Sequence, residues 1–157
     1  LKFPYVISHM PVFADNKKAR FNYQIIESIQ AGMILSGGEV KSVRASKVSF
    51  TNAYVLFLNN KPILRGLHIA PYGFSDNRDY NPERDRELLL SAQEIKQLQN
   101  KIDQKSLTMV PLNLHSKKGL IKCEIALVQG KKLHDKRNVQ KNRDMDREAK
   151  RAIKKYK

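Results

Sequence analysis

Apolar and polar residues alternate with a period of two in short runs from Phe21 to Val128, and this pattern constrains the fold more than any other feature of the chain. Such alternation marks a half-buried strand, because successive side chains leave opposite faces of a pleated backbone. The cleanest run is Leu120 to Val128, in which Ile121, Cys123, Ile125 and Leu127 share one face and Lys122, Glu124 and Ala126 the other. Together with Leu107 to His115 it predicts a hairpin around Lys117-Lys118-Gly119. Tyr23 to Ile29, then Ala31-Gly32, then Met33-Ile34-Leu35 predict two strands joined by a tight glycine turn. Tyr54 to Leu58 predicts a strand broken by Asn59-Asn60-Lys61-Pro62, and Ile63 to Ile69 another that Pro71 ends.

Helical signals are fewer. Glu39 to Arg44 predicts a short helix after Gly37-Gly38. Ser91 with Glu94 three residues on forms a capping box, and the helix it opens carries Ile95, Leu98 and Ile102 on one stripe, a face for packing against the sheet. About six short antiparallel strands and one good helix predict a mainly β fold. The expected form is a closed antiparallel barrel of the OB type with flanking helices, since closure removes sheet edges. An open sheet with helices on one face is the alternative.

The chain ends differently. Residues 130–157 hold twelve Lys and Arg against four Asp and Glu, a net +8 out of +15 for the whole sequence. The predicted organisation is a cloning scar or extension over 1–9, an RNA-binding domain over 10–129, and a basic tail over 130–157. The tail lacks the apolar content to fold alone, so it reads as disordered in isolation. Yet Met145, Ala149, Ala152, Ile153 and Tyr156 recur at helical intervals, a narrow apolar stripe on a basic cylinder that a partner could order.

A net charge of +15 favours a polyanion, because each neutralised phosphate releases condensed counterions. No apolar run approaches membrane-spanning length, and a single cysteine, Cys123, suits a reducing cytoplasm and a place in the core. Residues that carry catalysis are missing. The four histidines show no metal-ligand spacing, Gly130-Lys131-Lys132 lacks the rest of a phosphate loop, and no nucleophile elbow is present. Glu39 reads as an acid that satisfies a backbone amide or an arginine. The expectation is a binding protein, not an enzyme, with no cofactor, metal, membrane or small-molecule substrate, acting as a cytoplasmic monomer. Asn16-Lys17-Lys18-Ala19-Arg20-Phe21 sets three cations beside a ring, and Arg78, Arg84 and Arg86 punctuate a polar loop with Tyr80; both are loops that could grip RNA.

An ordered series of motifs resembles the tmRNA-binding protein family, also called SsrA-binding protein or small protein B. The series is Asn16 to Arg20 with Tyr23, Ala31-Gly32, Gly38 to Arg44, Ala53-Tyr54-Val55, His68-Ile69 with Pro71-Tyr72, Arg84 to Leu90, and Gly130 to Arg137. The resemblance implies an OB-type barrel whose face binds the tRNA-like domain of tmRNA, with Asn16 and Leu89 at or beside that surface. Lys17 and Arg20 join them as phosphate contacts by charge. It also implies that the tail meets small-subunit rRNA on a stalled ribosome, in the decoding centre and the empty mRNA channel. Gly130, Lys131, Lys132, His134, Asp135, Lys136, Arg137, Met145, Lys150 and Ile153 would act there. The outcome would be trans-translation. A generic basic OB-fold RNA-binding or ribosomal protein is the competing reading, and a peptidyl-tRNA hydrolase would need a Gly-Gly-Gln motif that the chain lacks. Three residues depart from the family pattern: Gln30 where many relatives have an acid, Ser106 where glycine is common, and Met145 where some have tryptophan.

Overall fold

A computed structural model of the chain describes residues 10–131 and 133–155. The expectations for residues 1–9, Lys132 and Tyr156 lie outside the described residues. In chain order the elements are β1 (Val12–Asp15), α1 (Lys17–Asn22), β2 (Tyr23–Met33), α2 (Gly37–Arg44), β3 (Val48–Ser49), β4 (Tyr54–Leu58), β5 (Lys61–Arg65), β6 (His68–Ile69), β7 (Arg86–Leu89), α3 (Ala92–Lys105), β8 (Thr108–Lys117), β9 (Leu120–Gly130) and α4 (Leu133–Lys155). The fold is mainly β with flanking helices.

The main sheet runs β1-β8-β4-β5-β7-β2-β9, and β8 pairs again with β9. Every ladder is antiparallel, so β8, β4, β5, β7, β2 and β9 form a closed ring of hydrogen-bonded strands, with β1 on the part of β8 that β4 leaves free. β3 and β6 form a separate pair. Two ring hairpins turn through two residues with positive φ, Asn59-Asn60 and Lys118-Gly119. That geometry matches the right-handed twist of the flanking strands and suits Asn and Gly.

β8 and β9 are buried on both faces. One face carries Met109, Leu114, Ile121, Cys123, Ile125 and Leu127 into the main core, where Leu64, Leu67, Leu88 and Leu98 also lie. The other carries Val110, Leu112, Ala126 and Val128 under Ala19 of α1. An irregularity between Pro111 and Asn113 switches parity, so that Met109 and Leu114 face the same way although five residues apart. The helices expected at Glu39 to Arg44 and after Ser91 are present, the second with its expected Ser91–Glu94 capping box and the first with an unforeseen Ser36–Glu39 box, whereas Asn16 to Phe21, expected as a loop, carries α1 under an Asn16 cap.

Three expectations are corrected. Ala31-Gly32 is no turn: β2 runs unbroken through it to Met33. Gly32 is there for close approach, since a Cβ on it would stand 3.1 Å from Leu89 Cβ across the ladder to β7. Nor is Ile63 to Ile69 one strand. Gly66, at φ +76°, separates β5 from β6, and a Cβ on it would come within 2.2 Å of the Asn52 carbonyl oxygen. Pro62, read as a breaker, lies inside β5 one position before pairing with β7 begins.

Candidate nucleic-acid interface

α1 is held in place by Asn16. Its Oδ1 accepts from the Ala19 N–H at 3.0 Å, an N-cap, while its Nδ2 donates to the Pro111 carbonyl at 2.8 Å. The backbone N–H of Asn16 donates to the Leu112 carbonyl at 2.7 Å. The side chain is buried, with its oxygen and its nitrogen each engaged once, and it clamps to β8 the short helix from which Lys17, Lys18 and Arg20 project into solvent. Beside it lies a cleft of about 420 Å³ whose walls include Asn16, Lys18, Tyr23, Thr51, Asn52 and Tyr54.

A second surface spans β7, β2, β9 and β8. Leu89, 52% exposed, faces Gly32, and Gly32 faces Lys122. A polar ladder crosses the neighbouring strands. Ser28 donates to Glu124 at 2.9 Å, Asn113 also donates to Glu124, His115 Nδ1 meets Asn113 Oδ1 at 2.8 Å, and Gln30 bridges His115 Nε2 and Lys117. With Nδ1 donating to Asn113, Nε2 accepts from the Gln30 amide, and the Gln30 oxygen is left to accept from Lys117 at 2.9 Å. Burial, with Lys117 and Lys122 nearby, holds the imidazole of His115 below its ordinary pKa against the opposing pull of Glu124. The ring is therefore neutral at pH 7. Gln30 thus serves as a dipolar link, a role the sequence did not reveal.

The arginine loop does something other than grip a ligand. Arg86 is 0% exposed; it donates to Glu39 Oε1 at 2.9 Å and to the carbonyls of Leu67, Pro82 and Arg84. Arg84 forks onto the same carboxylate, and Tyr80 donates to the Ile69 carbonyl at 2.8 Å. Glu39 is accordingly a satisfied structural acid, as its setting in the sequence suggested. Burial works to raise its pKa, but hydrogen bonds from Arg84, the Ser36 amide and Arg86 outweigh it and leave the carboxyl below the usual glutamate range. Arg78 alone stays outside, paired with Asp76 at 2.7 Å.

The third surface is the C-terminal segment. Gly130 ends β9, and Lys131 ties the junction to α1, its N–H donating to the Asn22 carbonyl at 3.1 Å and its Nζ to the Arg20 carbonyl at 3.2 Å. His134 and Asp135 lie in the first turn of α4, with Lys136 half-buried and Arg137 exposed after them. Met145 and Ile153 are 58% and 66% exposed, so the apolar stripe faces solvent. The face turned to α1 is cationic instead. Arg143 lies 5.1 Å over the Phe21 ring, and a groove of about 410 Å³ is walled by Lys17, Arg20, Arg143, Asp146, Arg147 and Lys150. Lys17 and Arg20, expected on one RNA surface, and Lys150, expected on another, thus share a groove. The i, i+3, i+4, i+7 spacing of the four α4 residues was the signal for it. No metal-holding cluster occurs among the described residues, and none of their helices is long and apolar enough to cross a membrane.

The family model for SmpB protein matches residues 13–155. The SsrA-binding protein of Oleidesulfovibrio alaskensis is 49% identical over 142 residues, 90% of this chain and 92% of that protein. The SsrA-binding protein of Trichodesmium erythraeum is 49% identical over 146 residues, 92% of this chain and 94% of that one. Among solved structures, a chain described under "tmRNA-SmpB: a journey to the center of the bacterial ribosome" aligns with a TM-score of 0.65 at 41% identity. That alignment covers 78% of this chain and 86% of the other.

Proposed function

The chain belongs to the SmpB protein family, and from that premise we propose that it binds the tRNA-like domain of tmRNA and delivers it to stalled ribosomes for trans-translation. The observation that carries this reading is the likeness to SsrA-binding proteins along nine-tenths of the chain, which takes in both the strand ring and α4. The work is done by binding, in the cytoplasm, where ribosomes are.

The ring is read as an OB-type barrel; closure through the β8–β9 ladder supports this. Its RNA face is assigned to Leu89 and the α1 region, with Lys17 and Arg20 neutralising phosphates. Asn16 contributes by holding α1, and a direct contact through its cleft side would have to share groups already bonded to Ala19 and Pro111. Gly130 to Arg137 are assigned to the decoding centre, Lys136 and Arg137 pairing with rRNA phosphates and His134 stacking on a base. Met145, Lys150 and Ile153 are assigned to the empty mRNA channel. An outward apolar stripe on a basic helix suits a wall of RNA and ribosomal protein, and a helix so poor in partners of its own is ordered most by what it meets.

The test compares the full chain with one truncated after Gln129. Affinity for tmRNA is measured at two salt concentrations, and tagging of a nascent chain is followed on ribosomes lacking a stop codon. Truncation is expected to spare tmRNA binding and abolish tagging. If both proteins bind any structured RNA equally and neither supports tagging, a generic basic RNA-binding protein is the better description.

A further inference from the structure

Among the described residues, the groove between α4 and α1 is lined by no apolar side chain of the helix's own stripe. What faces α1 is Arg143, Asp146, Arg147 and Lys150, at i, i+3, i+4 and i+7, opposed by Lys17 and Arg20. Five cations and one carboxylate line a single groove of about 410 Å³. Their own counter-charges are weak: Arg20 reaches Asp15 at 3.4 Å, Arg147 reaches Asp144 at 4.0 Å, and Lys17 and Lys150 pair with no carboxylate among the described residues. Like charges this crowded repel, and Arg143 on the Phe21 ring is a specific contact that draws α4 to α1. An anion seated in the groove would therefore stabilise the docked arrangement.

We propose that the groove between α1 and α4 is a composite binding site for the phosphodiester backbone of RNA, in which the tail supplies three of the five cations while docked on the ring. Lys17 and Arg20 hold a stretch of backbone from one wall, and Arg147 and Lys150 hold the same stretch from the other. Bound phosphates screen the two walls from each other, so RNA binding and docking of α4 favour one another by linkage. Asp146 opposes any anion there and limits affinity. The groove extends the α1 edge of the ring's RNA face by adding a wall from α4, is separate from the tail's assigned place on the ribosome, and rests on the proposed function in taking RNA as the polyanion.

Double-mutant cycles on the full-length chain test it, with binding of hexauridylate and of a short RNA duplex followed by fluorescence anisotropy at fixed salt. Lys17→Gln and Lys150→Gln are each expected to weaken binding by about threefold, near the loss of one phosphate contact. The pair together should weaken it by clearly less than the product of the two, because either change loosens the shared groove. Lys154→Gln, on an exposed part of the same helix, serves as the control and should combine with Lys17→Gln as a simple product. Asp146→Asn should tighten binding several-fold, whereas a remote carboxylate change, Asp103→Asn, should alter it little. All five positions lie at the surface or in the open groove, so folding is not at stake. Simple products for both pairs, with equal losses at Lys150 and Lys154 on both RNAs, would reduce α4 to an undirected polybasic tail and overturn the proposal. Tagging activity is read separately: additive cycles with tagging intact refute the groove alone, and coupled cycles with no tagging refute the ribosomal role alone.

Discussion

Arg86→Met should be the most destabilising single change at an arginine in this protein, although the sequence places Arg86 in a polar stretch that reads as exposed. The guanidinium is 0% exposed and bonds Glu39 at 2.9 Å and the carbonyls of Leu67, Pro82 and Arg84 at 2.6, 2.9 and 3.1 Å. Methionine fills the volume but leaves three carbonyls without this donor and removes half of the charge that compensates buried Glu39. Removing one partner of a buried pair costs about 3–5 kcal/mol, against a total stability for a domain of about 5–15 kcal/mol. Arg84 shares the same carboxylate but its side chain is 36% exposed, so water can take over part of its role. Arg84→Met should cost about 1–2 kcal/mol. Urea unfolding followed by far-ultraviolet circular dichroism separates the two. With an m-value of about 1–3 kcal/mol per molar, Arg86→Met lowers the midpoint by roughly 1–5 M and Arg84→Met by a clearly smaller amount. Glu39→Gln should shrink the cost of Arg86→Met, because less buried charge is then stranded. Equal costs for the two arginines, or a loss below about 1 kcal/mol for Arg86→Met, would refute the claim that this network is a buried keystone.

The same network fixes an acid limb. The Glu39 carboxyl lies below its ordinary pKa in the folded chain, so the stability it contributes is present above its unfolded pKa, roughly 4.3, and is lost as pH falls through the folded value. The urea midpoint of Glu39→Gln should therefore fall less steeply below about pH 4 than that of the native chain; parallel curves would refute this. Ser106 ends α3 in the left-handed region, at φ 49° and ψ 44°. Ser106→Gly relieves about 1–2 kcal/mol of local strain and loses about 0.5–1 kcal/mol to the entropy of the unfolded chain. A rise in Tm of a few degrees is expected by calorimetry, and a fall would count against the strain argument. Cys123 is fully buried, and burial pushes its thiol far above the ordinary range. It should stay unreactive to a thiol-labelling reagent in native buffer and react once urea unfolds the chain.

The sequence reveals most where one residue has one job. The Ser91–Glu94 capping box, the Lys118-Gly119 turn and the inward face of β9 follow from local chemistry, and the structure repeats them. It misleads where a residue type serves two purposes. Gly32 reads as a turn because glycine usually supplies a positive φ, yet here it supplies room for Leu89. Arg84 and Arg86 read as solvated because arginine usually is, yet a buried acid forty-odd positions upstream draws them in. The Ser106 departure becomes intelligible only with its φ, which explains why glycine would suit that position. The α1–α4 groove needed three dimensions, since Lys17 and Lys150 lie at opposite ends of the chain.

The division between ring and tail has an energetic side. Among the described side chains neither apolar cluster contains a residue of α4, and the clusters draw on the strands, α1, α2 and α3. What holds α4 as a helix is local. Gln140 donates to Asp144 at 3.1 Å one turn on, and Arg147 approaches Asp144 at 4.0 Å, contacts that contribute a few tenths of a kcal/mol each, roughly 0.2–0.5. Against them stands the repulsion of a strongly basic segment. Sums of such small opposing effects lie near zero, which is where a few phosphate contacts decide the outcome. The cations of α4 can serve the groove on α1 or an external RNA wall, but Arg147 and Lys150 cannot face both at once. If both proposed sites exist, they compete for one helix, and entry of the tail into a ribosomal channel requires that it first leave α1. Raising the affinity of the groove through Asp146→Asn should then strengthen binding of free RNA while slowing tagging, a pairing of effects that independent sites would not produce.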